Sequence, residues 1–174
     1  MTDHNCKENF KEFTATSSKP YHFVNSGLPN VYLAGIKSWA CKKCEYQEAD
    51  IPAIEGLLTA IAESLVKKPG VLTGQEVRFL RKELGKKSAD FASLINKTPE
   101  HYSKLENGQL PLTEDTDKLV RLSYTMLSGN KKLMQSISDH AEEWLTSIHG
   151  TRNEKILAIR KPRQRAWLIS RRAA

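Results

Sequence analysis

The chain has 174 residues, a formal net charge of +7, 39% hydrophobic and 27% charged side chains, the make-up of a soluble globular protein with one ordinary or two small domains. No apolar run approaches the roughly 20 residues of a membrane span, and the polar start, Met1 to Phe10, lacks the apolar core of a signal peptide. No membrane partner and a cytosolic, cytoplasmic location are therefore expected. Residues 151–174 hold eight basic side chains against one acid, Glu154, and the other 150 residues are balanced at 19 of each sign. The whole net charge thus sits in a basic C-terminal arm, which would either meet phosphates or serve as a solvated tail. Its apolar Ile156, Ile159, Trp167, Leu168 and Ile169 predict partial ordering.

Residues 1–19 are polar and read as loosely ordered. Tyr21-His22-Phe23-Val24 is aromatic and β-branched, a short strand. Ser26-Gly27-Leu28-Pro29-Asn30 is turn chemistry. Val31 to Trp39 alternates as a second strand, which completes a hairpin. Just past it, Cys41-Lys42-Lys43-Cys44 has zinc-knuckle spacing, with two thiolates on one tight turn. Cys6, with His4 or His22, would supply the remaining ligands of a zinc site. The alternative is two thiols with no metal.

Pro52 opens the next element, with Asp50 as its cap. Ile54, Leu57, Leu58, Ile61, Ala62, Leu65 and Val66 then form one apolar stripe on a helix of about four turns. That helix serves either to pack the hairpin or to join two copies. Pro69-Gly70 breaks the chain and marks a domain boundary.

Thr73, with Glu76 three residues on, is a capping box, and Val77, Leu80 and Leu84 form the buried stripe of the helix it starts. Ser88 is expected to cap a second helix with Phe91, Ala92, Leu94 and Ile95 inside. Asn96 stops it. Thr98 caps a third helix, with Pro99 first and Tyr102 and Leu105 inward, ending at Asn107-Gly108. A fourth helix starts at Thr113 with Leu119, Leu122 and Met126 expected to be buried. A fifth, after Gly129, carries Leu133, Ile137, Ala141, Trp144, Leu145 and Ile148.

The second and third helices are joined by the short turn Asn96-Lys97-Thr98. That arrangement sets one helix across a phosphate backbone and the next in the major groove of DNA. Glu100, His101, Ser103 and Lys104 face away from the buried residues of the third helix. Lys86, Lys87, Ser88 and Lys97 flank the helix N-termini, whose N–H groups suit phosphate oxygens. Lys104 gains from DNA in any register, whereas His101 and Glu100 have local roles open to them as well. No Ser-His-Asp pattern, phosphate loop or paired metal-binding carboxylates stands out, so no enzyme is expected.

Leu80-Arg81-Lys82-Glu83-Leu84-Gly85, Phe91-Ala92-Ser93-Leu94-Ile95 and Ser103-Lys104-Leu105-Glu106-Asn107-Gly108 resemble the XRE (Cro/C1-type) helix-turn-helix. With residues 26–33, Cys41-Lys42-Lys43-Cys44, Lys68-Pro69-Gly70 and residues 72–81, the likeness extends over roughly residues 20–127 to YgiT-type zinc-finger proteins with a C-terminal helix-turn-helix, the group that includes MqsA-type antitoxins. The resemblance implies a homodimer on a palindromic operator, with recognition positions at Thr98, Pro99, Glu100, Ser103 and Lys104. It leaves two functions open. One is a sequence-specific transcriptional repressor or autoregulator binding double-stranded DNA. The other is an antitoxin that seals a partner toxin with its N-terminal half and regulates its own operon.

The expected architecture is mainly α. It comprises a polar segment 1–19, a hairpin, knuckle remnant and amphipathic helix over 20–68, a helix-turn-helix domain over 71–149, and the basic arm from 150 to 174.

Overall fold

A computed structural model describes residues 10–44, 46–150, 154–161 and 166–173. The expectation of a mainly α chain with one hairpin is overturned. The described residues form seven helices and seven strands, and the strands make two sheets of three and four, a mixed α/β fold. Two compact units divide the chain. The first falls within residues 1–25, 29–60 and 154–174, and the second within 26–28 and 61–153. The sequence of the second is thus inserted into that of the first. The division lies inside helix α1 (Ile54–Val66), upstream of Pro69-Gly70.

In the first unit β1 (Phe10–Thr14), β4 (Lys37–Cys41) and β5 (Gln47–Ala49) form an antiparallel sheet in the order β1-β4-β5. The second sheet has the order β2-β3-β6-β7. It begins with the hairpin of β2 (Tyr21–His22) and β3 (Val31–Ala34). β6 (Glu154–Lys161) lies parallel to β3, with Val31 beside Ile156 and Leu33 beside Ala158, and β7 (Ala166–Ala173) pairs antiparallel with β6. Val31, Leu33, Ile156, Leu157 and Ala158 are buried. The near-continuous apolar run Ile156-Leu157-Ala158-Ile159 is what a central strand flanked on both sides requires.

The alternation from Val31 to Trp39 is therefore two strands of two sheets, not one strand. Gly35 makes the break, at φ +79°. A Cβ there would lie 2.6 Å from the Arg160 carbonyl oxygen on β6, so only glycine permits both the backbone turn and the close approach.

The basic C-terminal segment is built into this sheet, and part of its charge is used there. The Lys155 ammonium lies 3.9 Å from the centre of the Tyr32 ring, whose plane stacks on His22 at 4.7 Å. Arg160 lies over the Trp167 ring, and Arg171 pairs with Glu154 at 3.4 Å.

The second unit holds α2 (Gly74–Glu83), α3 (Ser88–Leu94), α4 (Pro99–Glu106), α5 (Glu114–Leu127), α6 (Lys131–Asp139) and α7 (Ala141–Ser147). The single fifth helix expected after Gly129 is broken at His140, which is the C-cap of α6 and the N-cap of α7. Val77, Leu80, Phe91, Ala92, Ile95, Tyr102, Leu105, Val120, Tyr124, Leu133 and Ile148 make the core. Leu119, Leu122 and Met126, expected inside, are exposed, as are Leu94 and Leu145.

A buried polar knot joins the end of α1 to α2 and α5. Arg121 is fully buried, donates Nε to Asp117 Oδ2 at 2.7 Å, and reaches the carbonyls of Leu65, Val66, Lys68 and Gly70. These include end-of-helix acceptors that α1 cannot satisfy itself. Asp117 accepts from the Leu72 N–H, and Lys68 donates to both Glu76 oxygens at 3.0 and 2.9 Å. The segment around Pro69-Gly70 is thereby a clamped connection inside the second unit.

Candidate nucleic-acid interface

α2, α3 and α4 are short because each is ended by its own sequence. All three close with the same pair of hydrogen bonds. At α3, Lys97 N–H reaches Ala92 O at 2.9 Å and Asn96 N–H reaches Ser93 O. At α4, Gln109 N–H reaches Lys104 O and Gly108 N–H reaches Leu105 O. At α2, Lys86 and Gly85 do the same to Arg81 and Lys82. This closure puts the residue after the cap in the left-handed region, and Gly85, Asn96 and Gly108 have φ of +64°, +53° and +69°.

The starts of the helices differ from one another. The α2 capping box is formed as expected: Thr73 Oγ1 accepts from Glu76 N, and Glu76 accepts from Thr73 N at 2.7 Å. Thr98 caps α4 by accepting from His101 N, with Pro99 at the first position. Ser88 does not cap α3. The cap is Lys87, with no side-chain hydrogen bond, and Ser88 is the first helical residue. In α4, Pro99 has no N–H and that of His101 is taken by Thr98, so less of this N-terminus is open to phosphate than its sequence predicts.

On α4, Tyr102, Leu105 and Glu106 are buried, and Phe91 of α3 meets Tyr102 at a ring separation of 5.7 Å. Thr98, Pro99, Glu100, His101, Ser103, Lys104 and Asn107 are exposed along the opposite side, and Lys86 and Lys87 are exposed at the α3 start. Lys97 and Ser88 are partly buried. Every residue expected at a DNA interface therefore lies on α4 or at its approach through α3.

Four residues that fix α4, namely Glu106, Arg81, Arg78 and Gly74, are not among the expected site residues. Glu106 is buried, and Arg81 of α2 grips it with two parallel bonds of 2.7 and 2.9 Å, the bidentate geometry that gives such pairs their directionality. The hydrogen bond to Glu106 holds the Arg81 guanidinium above its ordinary value. Arg78 approaches the same carboxylate at 3.6 Å and also donates to Asn107 Oδ1. Burial, with the Glu106 carboxylate nearby, pushes the Tyr102 phenol well above its usual range. The signal was present in the sequence as Arg-x-x-Arg on α2 and Glu-Asn-Gly at the end of α4, but their pairing is a tertiary fact. Gly74 completes the contact: a Cβ there would run into the Leu105 carbonyl oxygen and lie 2.8 Å from that of Glu106.

Cys41 and Cys44 are the cysteines among the described residues. Cys41 is buried at the end of β4, Cys44 is exposed, and the Lys43 N–H donates to Cys41 Sγ at 3.4 Å. His22 is engaged with the Pro29 carbonyl at 2.8 Å and the Tyr32 ring. Cys6 and His4 lie outside the described residues. Among the described residues no group of three or more His, Cys, Asp or Glu side chains is placed to hold a metal. No described helix is long and apolar enough to cross a membrane.

Compared with family models, curated proteins and solved structures, the chain matches none.

Proposed function

We propose that the second unit binds double-stranded DNA sequence-specifically, with α4 in the major groove, and that the protein is a transcriptional regulator acting on an inverted repeat. The observation that carries this is the outward row of Thr98, Glu100, His101, Ser103 and Lys104 on a short helix whose other side is locked by Arg81, Glu106 and Gly74. A reading helix must be held rigidly, because hydrogen bonds to base edges discriminate only in a fixed register. It must also be polar outward and free of bulk on its groove side. α4 meets each condition. Lys86, Lys87 and Lys104 supply positive charge to phosphates.

The test is selection of bound duplexes from a random double-stranded pool with the full chain. Enrichment of an inverted repeat, with half-sites about one helical turn apart, supports the reading. Recovery of unenriched DNA, or of none, overturns it.

A further inference from the structure

α5 is turned the opposite way from its amphipathic pattern. Its inward side is largely polar: Thr116, Asp117, Arg121 and Thr125 are buried beside Val120 and Tyr124. Its outward side is apolar: Leu119, Leu122 and Met126 are 46%, 37% and 69% exposed. With Asp115, these residues recur at i, i+4, i+7 and i+11, a single stripe on a helix. The inward orientation is fixed by the Arg121 and Asp117 knot, so the stripe cannot rotate inside without breaking a buried ion pair. Contiguous exposed apolar rows of this kind mark interaction surfaces.

The charge at the two ends of the stripe identifies its occupant. Exposed Glu114 and Asp115 begin α5, and exposed Lys131 and Lys132 begin α6 just past its end. Leu122 stands between them, seven residues after Asp115 and nine before Lys131. Two copies of α5 laid antiparallel about a twofold axis at Leu122 bring the acidic start of each toward the basic pair of the other. Apolar residues meet at the centre, and the helix dipoles oppose. The surface is thus complementary to itself.

From this we infer that the Leu119–Leu122–Met126 face of α5 is the docking surface for a second copy of the chain, joined antiparallel and flanked by Asp115 to Lys131/Lys132 ion pairs. The inference rests on the DNA-binding reading for its purpose, since a site read by one helix per half-site is incomplete without the partner's α4.

The test is sedimentation equilibrium of the full chain without DNA. The wild-type chain is expected to be dimeric. The double variant Leu122→Lys/Met126→Lys should weaken the dimer by about 100-fold or more, since large apolar side chains lose their burial on both copies, with thermal unfolding of the monomer preserved because both positions face water. Asp115→Lys alone should weaken the dimer, and adding Lys131→Glu/Lys132→Glu should restore it. A monomeric wild-type chain, a dimer indifferent to the double variant, or a charge reversal that restores nothing overturns the inference. Failure of the DNA reading shows separately: the dimer then responds as expected while the duplex pool yields no enriched sequence.

Discussion

Asp117 and Arg121 stand one turn apart on α5 and form a fully buried ion pair, 2.7 Å between Nε and Oδ2, from which the guanidinium reaches on to four backbone carbonyls. Removing one partner of such a pair strands a charge in low dielectric. Arg121→Met should therefore destabilise the protein by about 3–5 kcal/mol, read as a shift in the urea midpoint. Arg121→Lys should recover little of this loss, because an ammonium lacks the planar fork that serves Asp117 and the carbonyls together. Full recovery by lysine would show that charge alone, without the fork, holds the α1 end.

Gly74→Ala places a methyl against two backbone carbonyls of α4, and backbone cannot yield as a flexible side chain does. The expected cost is about 1–3 kcal/mol from overpacking. Because the atoms displaced belong to the end of α4, DNA affinity should fall along with stability. Arg81→Ala tests the same support from the other side, leaving Glu106 buried without its bidentate donor. Preserved affinity in both variants would mean that the position of α4 is not set by α2.

Lys104→Ala removes an exposed side chain from α4 and touches no described hydrogen bond. Thermal stability should be unchanged. Binding to the selected duplex should weaken by about 1–3 kcal/mol if Lys104 meets a base edge, or the slope of log K against log salt should become shallower by about 1 if it meets a phosphate. Unchanged affinity and slope together would remove α4 from the interface.

Burial pushes the Tyr102 and Tyr124 phenols well above their ordinary values. A group whose folded-state pKa is raised adds stability that is fully present below its unfolded value. That stability is lost as pH rises toward the folded one. Stability should therefore be flat from these groups below about pH 10 and fall above it. Tyrosinate absorbance should appear late, together with loss of helical circular dichroism. Tyr102→Phe should soften the alkaline loss.

The helices α2, α3 and α4 were legible because their signals are local. Thr73, Thr98, Asn96 and Gly108 act through hydrogen bonds to residues within a turn, and Tyr102 and Leu105 obey the helical period. Local signals failed where a distant partner decides the outcome. Ser88 looked like a cap, yet Lys87 occupies the position. The sequence places Leu119, Leu122 and Met126 inside, because hydrophobicity is the only guide a single helix offers. The buried polar side follows from α1 carbonyls more than 50 residues upstream. Val31 to Trp39 alternates without interruption, and only the carbonyl of Arg160, far along the chain, explains why Gly35 must divide it. β6 carried a strand's apolar run, but a parallel pairing across more than 120 residues leaves no short-range mark.

That pairing has a consequence for how the protein is made. On the ribosome β3 emerges more than 100 residues before β6 and β7. The sequence of the second unit is complete before the sheet of the first can close. Until then one side of β3 presents unpaired backbone beside Val31 and Leu33, a template for adding another chain's strand. A message truncated after Gly150 would leave that exposure permanent. Its product should fail by aggregation through the first unit, even though all of α2 to α7 has been translated.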